Sequence, residues 1–283
     1  MKFTRNFLPL ALSSLFMAGQ ASAVSLLFDF GTGGGALSAD QRTNSPGHAT
    51  GAVPSTEVSW NTVGSADIAA GPTSGLTYGD GTAATNIALN LAVETAIGSN
   101  ILDYAATNNI NSGSLTGSAV NLGAVYGSAT SSTPAKDGIF RGGTTSNSDN
   151  AAVGFRLDGL AAGTYTLYFT GRNTNSDSVR PVGFYTAVGA SSDTFNFLDL
   201  SLTTLANSSI SNNGGNPTFV AGNNYNSTTF TIAEGQSLFF AAEGTTSTER
   251  RGFINSVEIA LVPEPSAIVL SLGGVMLALR RRR

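Results

Sequence analysis

Residues 151–172, AAVGFRLDGLAAGTYTLYFTGR, decide the fold class. In the first half Val153, Phe155 and Leu157 fall on one side of an extended chain, while Gly154, Arg156 and Asp158 fall on the other. In the second half Tyr165, Leu167 and Phe169 alternate with Thr166, Tyr168 and Thr170. A period of two on both sides of Gly159 to Gly163 predicts two β-strands, each with one face in a core and one partly wet. They read as a connected antiparallel pair. The connector at 158–164 is longer than a two-residue hairpin turn, which leaves open that the two strands join opposing sheets.

Working outward, further strands are expected at 24–30 (VSLLFDF), 87–93 (IALNLAV), 182–188 (VGFYTAV), 194–200 (TFNFLDL), 228–233 and 237–242 (SLFFAA). Weaker signals fall at 76–78 and 120–126, and a brief helical turn is expected within 94–106. The final run, RGFINSVEIALV at 251–262, is strand-like except at Asn255-Ser256, where a bulge is expected. About ten short strands without alternating helices exclude a βαβ arrangement and predict an all-β, two-sheet antiparallel β-sandwich. The order RLDGL, GTYTLYFTGR, an E-G-x-S-L-x-F turn and strand, and a closing GFINSVEI resembles jelly-roll domains of the galactose-binding-like class. That resemblance implies a closing strand beside the first strand, and ligand sites, where present, in the loops at one end.

The two ends of the chain read as addresses. Lys2 and Arg5, the apolar stretch 7–18 and Ala21-Ser22-Ala23 form a secretory signal peptide over residues 1–23, with cleavage expected after Ala23. Residues 262–283, VPEPSAIVLSLGGVMLALRRRR, join a proline-stiffened entry, a 13-residue apolar run at 267–279 expected as a short hydrophobic helix, and four arginines. This tail resembles the PEP-CTERM sorting signal of exported proteins in Gram-negative bacteria. Pro263, Glu264 and Pro265 match the triad, and Arg280, Arg281, Arg282 and Arg283 match the basic end. The resemblance implies an exosortase-like membrane processing enzyme as partner, anchoring in the inner membrane before processing, and a final place at the cell surface or outside the cell.

Between these ends, residues 24–261 form the expected β-sandwich domain. Eight basic against seventeen acidic residues leave this body with a net charge of about −9, which disfavours nucleic acid and anionic membrane as partners. The chain has no cysteine and one histidine, so disulfides, thiol nucleophiles and a multi-histidine zinc site are excluded within one chain.

No catalytic set is legible. His48, in the turn-rich RTNSPGHATG, reads as a solvated loop residue, and no G-x-S-x-G accompanies it. Asp29, Asp137, Asp158, Asp177, Glu243 and Glu249 are candidates for a carboxylate pair of a polysaccharide hydrolase or lyase, with nothing in the sequence to bring two together. A sharper set is Arg141, Arg172, Arg180, Arg250 and Arg251, which with Tyr168 or Tyr185 could hold a polysaccharide through guanidinium hydrogen bonds. Trp60 is expected as a core or rim anchor, with a sugar-stacking platform as the sharper alternative. No cofactor is implied. Asp/Asn-rich loops leave structural calcium open, although TSNSDN at 145–150 lacks EF-hand spacing. The chain therefore reads as an exported, non-enzymatic envelope or matrix protein with polysaccharide as candidate ligand. The alternatives are a structural matrix role and a carboxylate-dependent hydrolase or lyase.

Overall fold

The computed structural model describes residues 24–31, 37, 39–64, 71–105, 110–114, 133–141, 151–172, 182–199, 218–245 and 250–263. Two five-stranded sheets face each other. The first has the order β10-β8-β13-β1-β2 and the second β4-β3-β7-β11-β9. The first comprises β1 (Leu26–Phe30), β2 (Asn61–Val63), β8 (Gly163–Thr170), β10 (Asn226–Ile232) and β13 (Ser256–Leu261). The second comprises β3 (Ala88–Glu94), β4 (Leu102–Asp103), β7 (Ala152–Asp158), β9 (Val182–Ala190) and β11 (Gln236–Gly244). A three-stranded sheet of β12 (Phe253–Ile254), β6 (Asp137–Arg141) and β5 (Ile110–Ser114) completes the strands. Among the described residues the helices are two short turns, α1 (Ala39–Arg42) and α2 (Pro46–Thr50).

The expected sandwich is present, and β13 lies antiparallel to β1 with Phe28 opposite Val257. The β1–β2 pair is parallel, an exception to the antiparallel rule of the rest. The inward faces meet through aromatic rings. Phe30 of the first sheet stacks on Phe155 of the second at 5.9 Å, and Phe169 of the first lies 4.5 Å from Phe184 and 5.3 Å from Phe240. These are the offset and tilted contacts that aromatic quadrupoles favour, and each ring is buried.

Both outer faces are partly covered as well, so several strands are buried on two sides. Leu27, Val53 and Ala260 pack with Trp60 outside the first sheet. Phe195 and Phe197 pack with Leu102, Tyr185 and Phe239 outside the second. This accounts for one correction. Over its described residues, 194–199, the expected strand at 194–200 is absent: the segment makes a single bridge, Asn196 to Ile101, and lays its two phenylalanines on the second sheet. Its alternation comes from docking instead of pairing.

Two other expectations change, and a third resolves to the alternative that the long connector left open: β7 and β8 join opposing sheets, β7 between β3 and β11 and β8 between β10 and β13. The connector crosses between sheets through Gly159, at φ +86°, where a Cβ would lie 1.8 Å from the Asn86 carbonyl. Over the described residues 94–105 the expected helical turn is absent. Gly98 and Asn100 both take positive φ there, and the Glu94 carboxylate accepts from Asn100 N–H at 2.7 Å, fixing a tight loop before β4. At Asn255 the chain leaves the three-stranded sheet as β12 and enters the first sheet as β13, so the expected bulge is a change of sheet. The 76–78 segment contributes one bridge, Thr77 to Ala83, and 120–126 lies outside the described residues.

Candidate functional site

The two ends of the sandwich differ. At one, tight turns and both ends of the body meet. At the other, β12 and β6 run from the first sheet to the second, closing the core. Asn255 is the node of this closed end. Its N–H donates to Thr170 O at 3.0 Å, its carbonyl accepts from Phe30 N–H at 2.8 Å, and its Nδ2 donates to Asp137 O at 2.7 Å. Its Oδ1 accepts from Arg172 N–H.

Two carboxyls converge beside this node. Asp29, at the end of β1 and 6 % exposed, faces Asp137, the first residue of β6. Burial, reinforced by the charge and hydrogen bond of Asp137, pushes the Asp29 carboxyl up to about 8. Gly31 is required there, since a Cβ would lie 2.2 Å from Asp137 Cγ.

Across the core, Glu94 of β3 and Glu243 of β11 occupy one row on either side of Ala152. Burial raises both. Glu94 is also drawn down by backbone N–H groups of Asn100 and Ala152 and by the charge of Arg141. Glu243, 8 % exposed, is pushed up to about 7, with the Tyr185 hydroxyl donating to its Oε2 at 3.1 Å and opposing the rise. Tyr185 is itself raised by burial and by Glu243.

The arginines follow the same geometry. Arg141, Arg172, Arg250 and Arg251 all belong to this end. Arg172 is 2 % exposed, so its guanidinium is a component of the interior and not a surface contact. Arg251 is half-buried and lies over Phe140 at 5.3 Å and Phe253 at 5.5 Å. The Arg250 carbonyl accepts from Ala151 N–H at 2.6 Å, pinning this segment to the start of β7. The structure therefore brings Arg141, Arg172, Arg250, Arg251 and Tyr185 to one end. Arg180, Asp177, Glu249, Glu264, Pro265 and the terminal arginines lie outside the described residues, and Pro263 is exposed.

Trp60 and Tyr168 are not in this group. Both lie on the outer face of the first sheet. Trp60 Nε1 donates to Arg42 O at 2.8 Å, which makes it a rim anchor, and Tyr168 is buried against Tyr225 at 6.3 Å. His48 is not solvated, contrary to its turn-rich setting. Its side chain, 4 % exposed, stands in α2 with Nδ1 2.6 Å from Ser45 Oγ and Nε2 2.8 Å from Glu57 O. Ser45 Oγ also donates to Glu258 Oε2 at 2.8 Å, and Gly47 N–H to Glu258 Oε1 at 3.0 Å. Here serine bridges histidine and carboxylate, unlike the order of a nucleophilic triad, where histidine stands in the middle. The cluster fastens α2 onto β13.

Asp158 accepts from Arg156 at 2.8 and 2.9 Å, from Asn90 at 2.8 Å and from Ser237 at 2.5 Å. Among the described residues there is no group of three or more histidine, cysteine or acidic side chains arranged to hold a metal ion. Nor is any described helix long and apolar enough to cross a membrane.

No protein-family model matches the chain, and no curated protein matches it. Solved structures overlap it only loosely. A family 35 carbohydrate binding module from Clostridium thermocellum is 11 % identical with a TM-score of 0.28, covering 61 % of this chain and 90 % of that one. TmCBM61, solved with β-1,4-galactotriose, is 9 % identical with a TM-score of 0.28, covering 62 % and 88 %. The ANXUR2 extracellular domain from Arabidopsis thaliana is 10 % identical with a TM-score of 0.29, covering 46 % and 33 %. Overlap at this level bears on neither ligand nor activity.

Sequence reasoning missed Glu94, Asn255 and the Ser45–His48–Glu258 cluster. Asn255-Ser256 inside an apolar run was the one available signal, since a buried amide must satisfy both its oxygen and its nitrogen.

Proposed function

We propose that the chain is an exported cell-envelope or extracellular-matrix protein that binds polysaccharide without catalysis, through the closed end of its sandwich. The observation that carries this reading is the meeting of Arg141, Arg250, Arg251, Tyr185 and Glu243 at that end, drawn from the second sheet, from β6 and from the segment that leads into β12. Arg251 over Phe140 supplies a cation held on an apolar plate, suited to a sugar ring with hydroxyl or carboxylate substituents. Glu243 adds an acceptor that gains its negative charge near neutral pH. The signal peptide and the PEP-CTERM-like tail supply the route: export, transient anchoring in the inner membrane through 267–279, and processing near Pro263, Glu264 and Pro265 by an exosortase-like enzyme.

The test is a panel of neutral and acidic extracellular polysaccharides offered to the purified protein, with affinity measured by calorimetry. Binding to at least one class, weakened about tenfold or more by Arg251→Ala, is expected, a loss of about 1.4 kcal/mol. Absence of binding across the panel would leave a structural matrix role and overturn the ligand reading.

A further inference from the structure

β1 and β13 are antiparallel neighbours with Leu26 opposite Ile259. The first residue after the expected signal cleavage, Val24, and the last residue of β13, Leu261, therefore emerge at the same end of the sandwich. That end is the one opposite Asn255. Its turns are short: 78–82, 159–163 and 233–236, with Gly81, Gly159 and Gly235 each at positive φ. A cleft of about 290 Å3 opens there, lined by Val24, Tyr78, Leu160, Ala161, Tyr165 and Leu261 among others.

The fold runs almost to the sorting triad. Val262 N–H still donates to Thr164 O at 2.8 Å, and Val262 is 37 % exposed. From Val262 to Ala267, where the apolar run begins, there are five Cα steps, which span at most about 18 Å when fully extended. A headgroup layer takes about 5–8 Å of that reach. With the tail in a bilayer, at most about 10–13 Å of that reach remains, so Val262 and the end of the body that carries it stay close to the headgroup surface.

Resting on the anchoring reading above, we infer that this end is a membrane-apposed face, held against zwitterionic phospholipid headgroups while the tail is attached. Tyr78 brings a half-buried amphipathic ring to it, Val262 and the cleft bring apolar surface, and the exposed Asp80 and Glu234 in its turns oppose anionic lipid. The consequence is orientation. β8 has eight residues, so the closed end stands about 25 Å farther out, with its arginines directed away from the bilayer.

The chain contains no cysteine, so single-cysteine variants can be labelled without background. Ala161→Cys, at the apposed end, and Thr245→Cys, at the closed end, are both exposed positions. Each full-length variant carries a fluorophore and is reconstituted into vesicles of phosphatidylethanolamine and phosphatidylcholine that contain a headgroup-attached quencher. The label at 161 is expected to be quenched severalfold more than the label at 245. A Gly/Ser insert of about twelve residues between Val262 and Pro263, adding roughly 19 Å of mean reach, is expected to erase the difference. Equal quenching of the two labels in the uninserted protein, in vesicles to which it demonstrably co-floats, overturns the inference alone. Failure to co-float overturns the anchoring reading, and the inference with it.

Discussion

Asp29 and Asp137 lie 108 positions apart in the chain and face each other across the β1–β6 junction, close enough to share a hydrogen bond that requires one proton. In the folded protein Asp29 keeps that proton up to about pH 8, whereas an aspartate in the unfolded chain loses it at about 4. Between those values the folded state binds more protons than the unfolded one, so stability falls as pH rises through the window and levels off below it. Thermal unfolding followed from pH 4 to 9 should show a declining melting temperature, and Asp29→Asn should flatten the decline and raise stability at pH 8. A melting temperature that climbs from pH 5 to 8 would count against the shared proton.

Glu243 titrates in the same sense. Burial pushes it up to about 7, the hydroxyl of Tyr185 pulls it down, and Glu94 pushes it up again. Replacing Tyr185 with Phe removes the hydrogen bond that favours the ionised form, so the midpoint should move upward. Carbon-detected NMR of the glutamate carboxyls measures this directly. The predicted loss of stability with rising pH, spread between about 4.5 and 7 in the native protein, should then extend to higher pH.

Asn255 ties three elements through its side chain and backbone. Asn255→Ala leaves the Asp137 carbonyl and the Arg172 N–H without their amide partner. Each buried group so abandoned costs about 1–3 kcal/mol, so roughly 2–6 kcal/mol of unfolding free energy should disappear. Chemical denaturation measures the loss, and a change below about 1 kcal/mol would show that the node is dispensable.

Ser45→Ala should weaken the attachment of α2 to β13. The Glu258 carboxylate, almost wholly buried, loses a hydroxyl donor at 2.8 Å and keeps Gly47 N–H at 3.0 Å, with His48 Nδ1 3.6 Å away. A cost of about 1–3 kcal/mol is expected. Amide hydrogen exchange should rise first at Ala49, whose N–H donates to Ser45 O, and at Val53, whose N–H donates to Gly47 O. Unchanged protection at both would separate the serine from the latch.

The strands around Phe155 and Leu167 were legible because side-chain alternation is a local property of extended chain, readable without knowing a partner. Sheet membership was not. β7 and β8 are neighbours in sequence with matched periodicity, yet they lie in opposite sheets, because the crossover at Gly159 depends on the approach of Asn86. The paired phenylalanines at 195 and 197 carried the same alternation as a strand while packing as a docked loop. Periodicity reports which face is buried and is silent on what buries it.

The candidate site divides along the same line. The basic residues and Tyr185 could be named from residue type and scarcity, and five of them, Arg141, Arg172, Arg250, Arg251 and Tyr185, meet at the closed end. Glu94 and Asn255 could not, because their roles are set by partners reached through folding: Asn255 bonds a carbonyl 118 positions away, and Ser45 bonds a carboxylate 213 positions away. By itself the sequence determined the all-β class, since side-chain alternation is written in short contiguous patterns. Only the tertiary structure decided which sheet each strand joined, which carboxyls share a proton, and that Val24 and Leu261 emerge side by side, because hydrogen-bond pairing and burial join residues that the chain holds far apart.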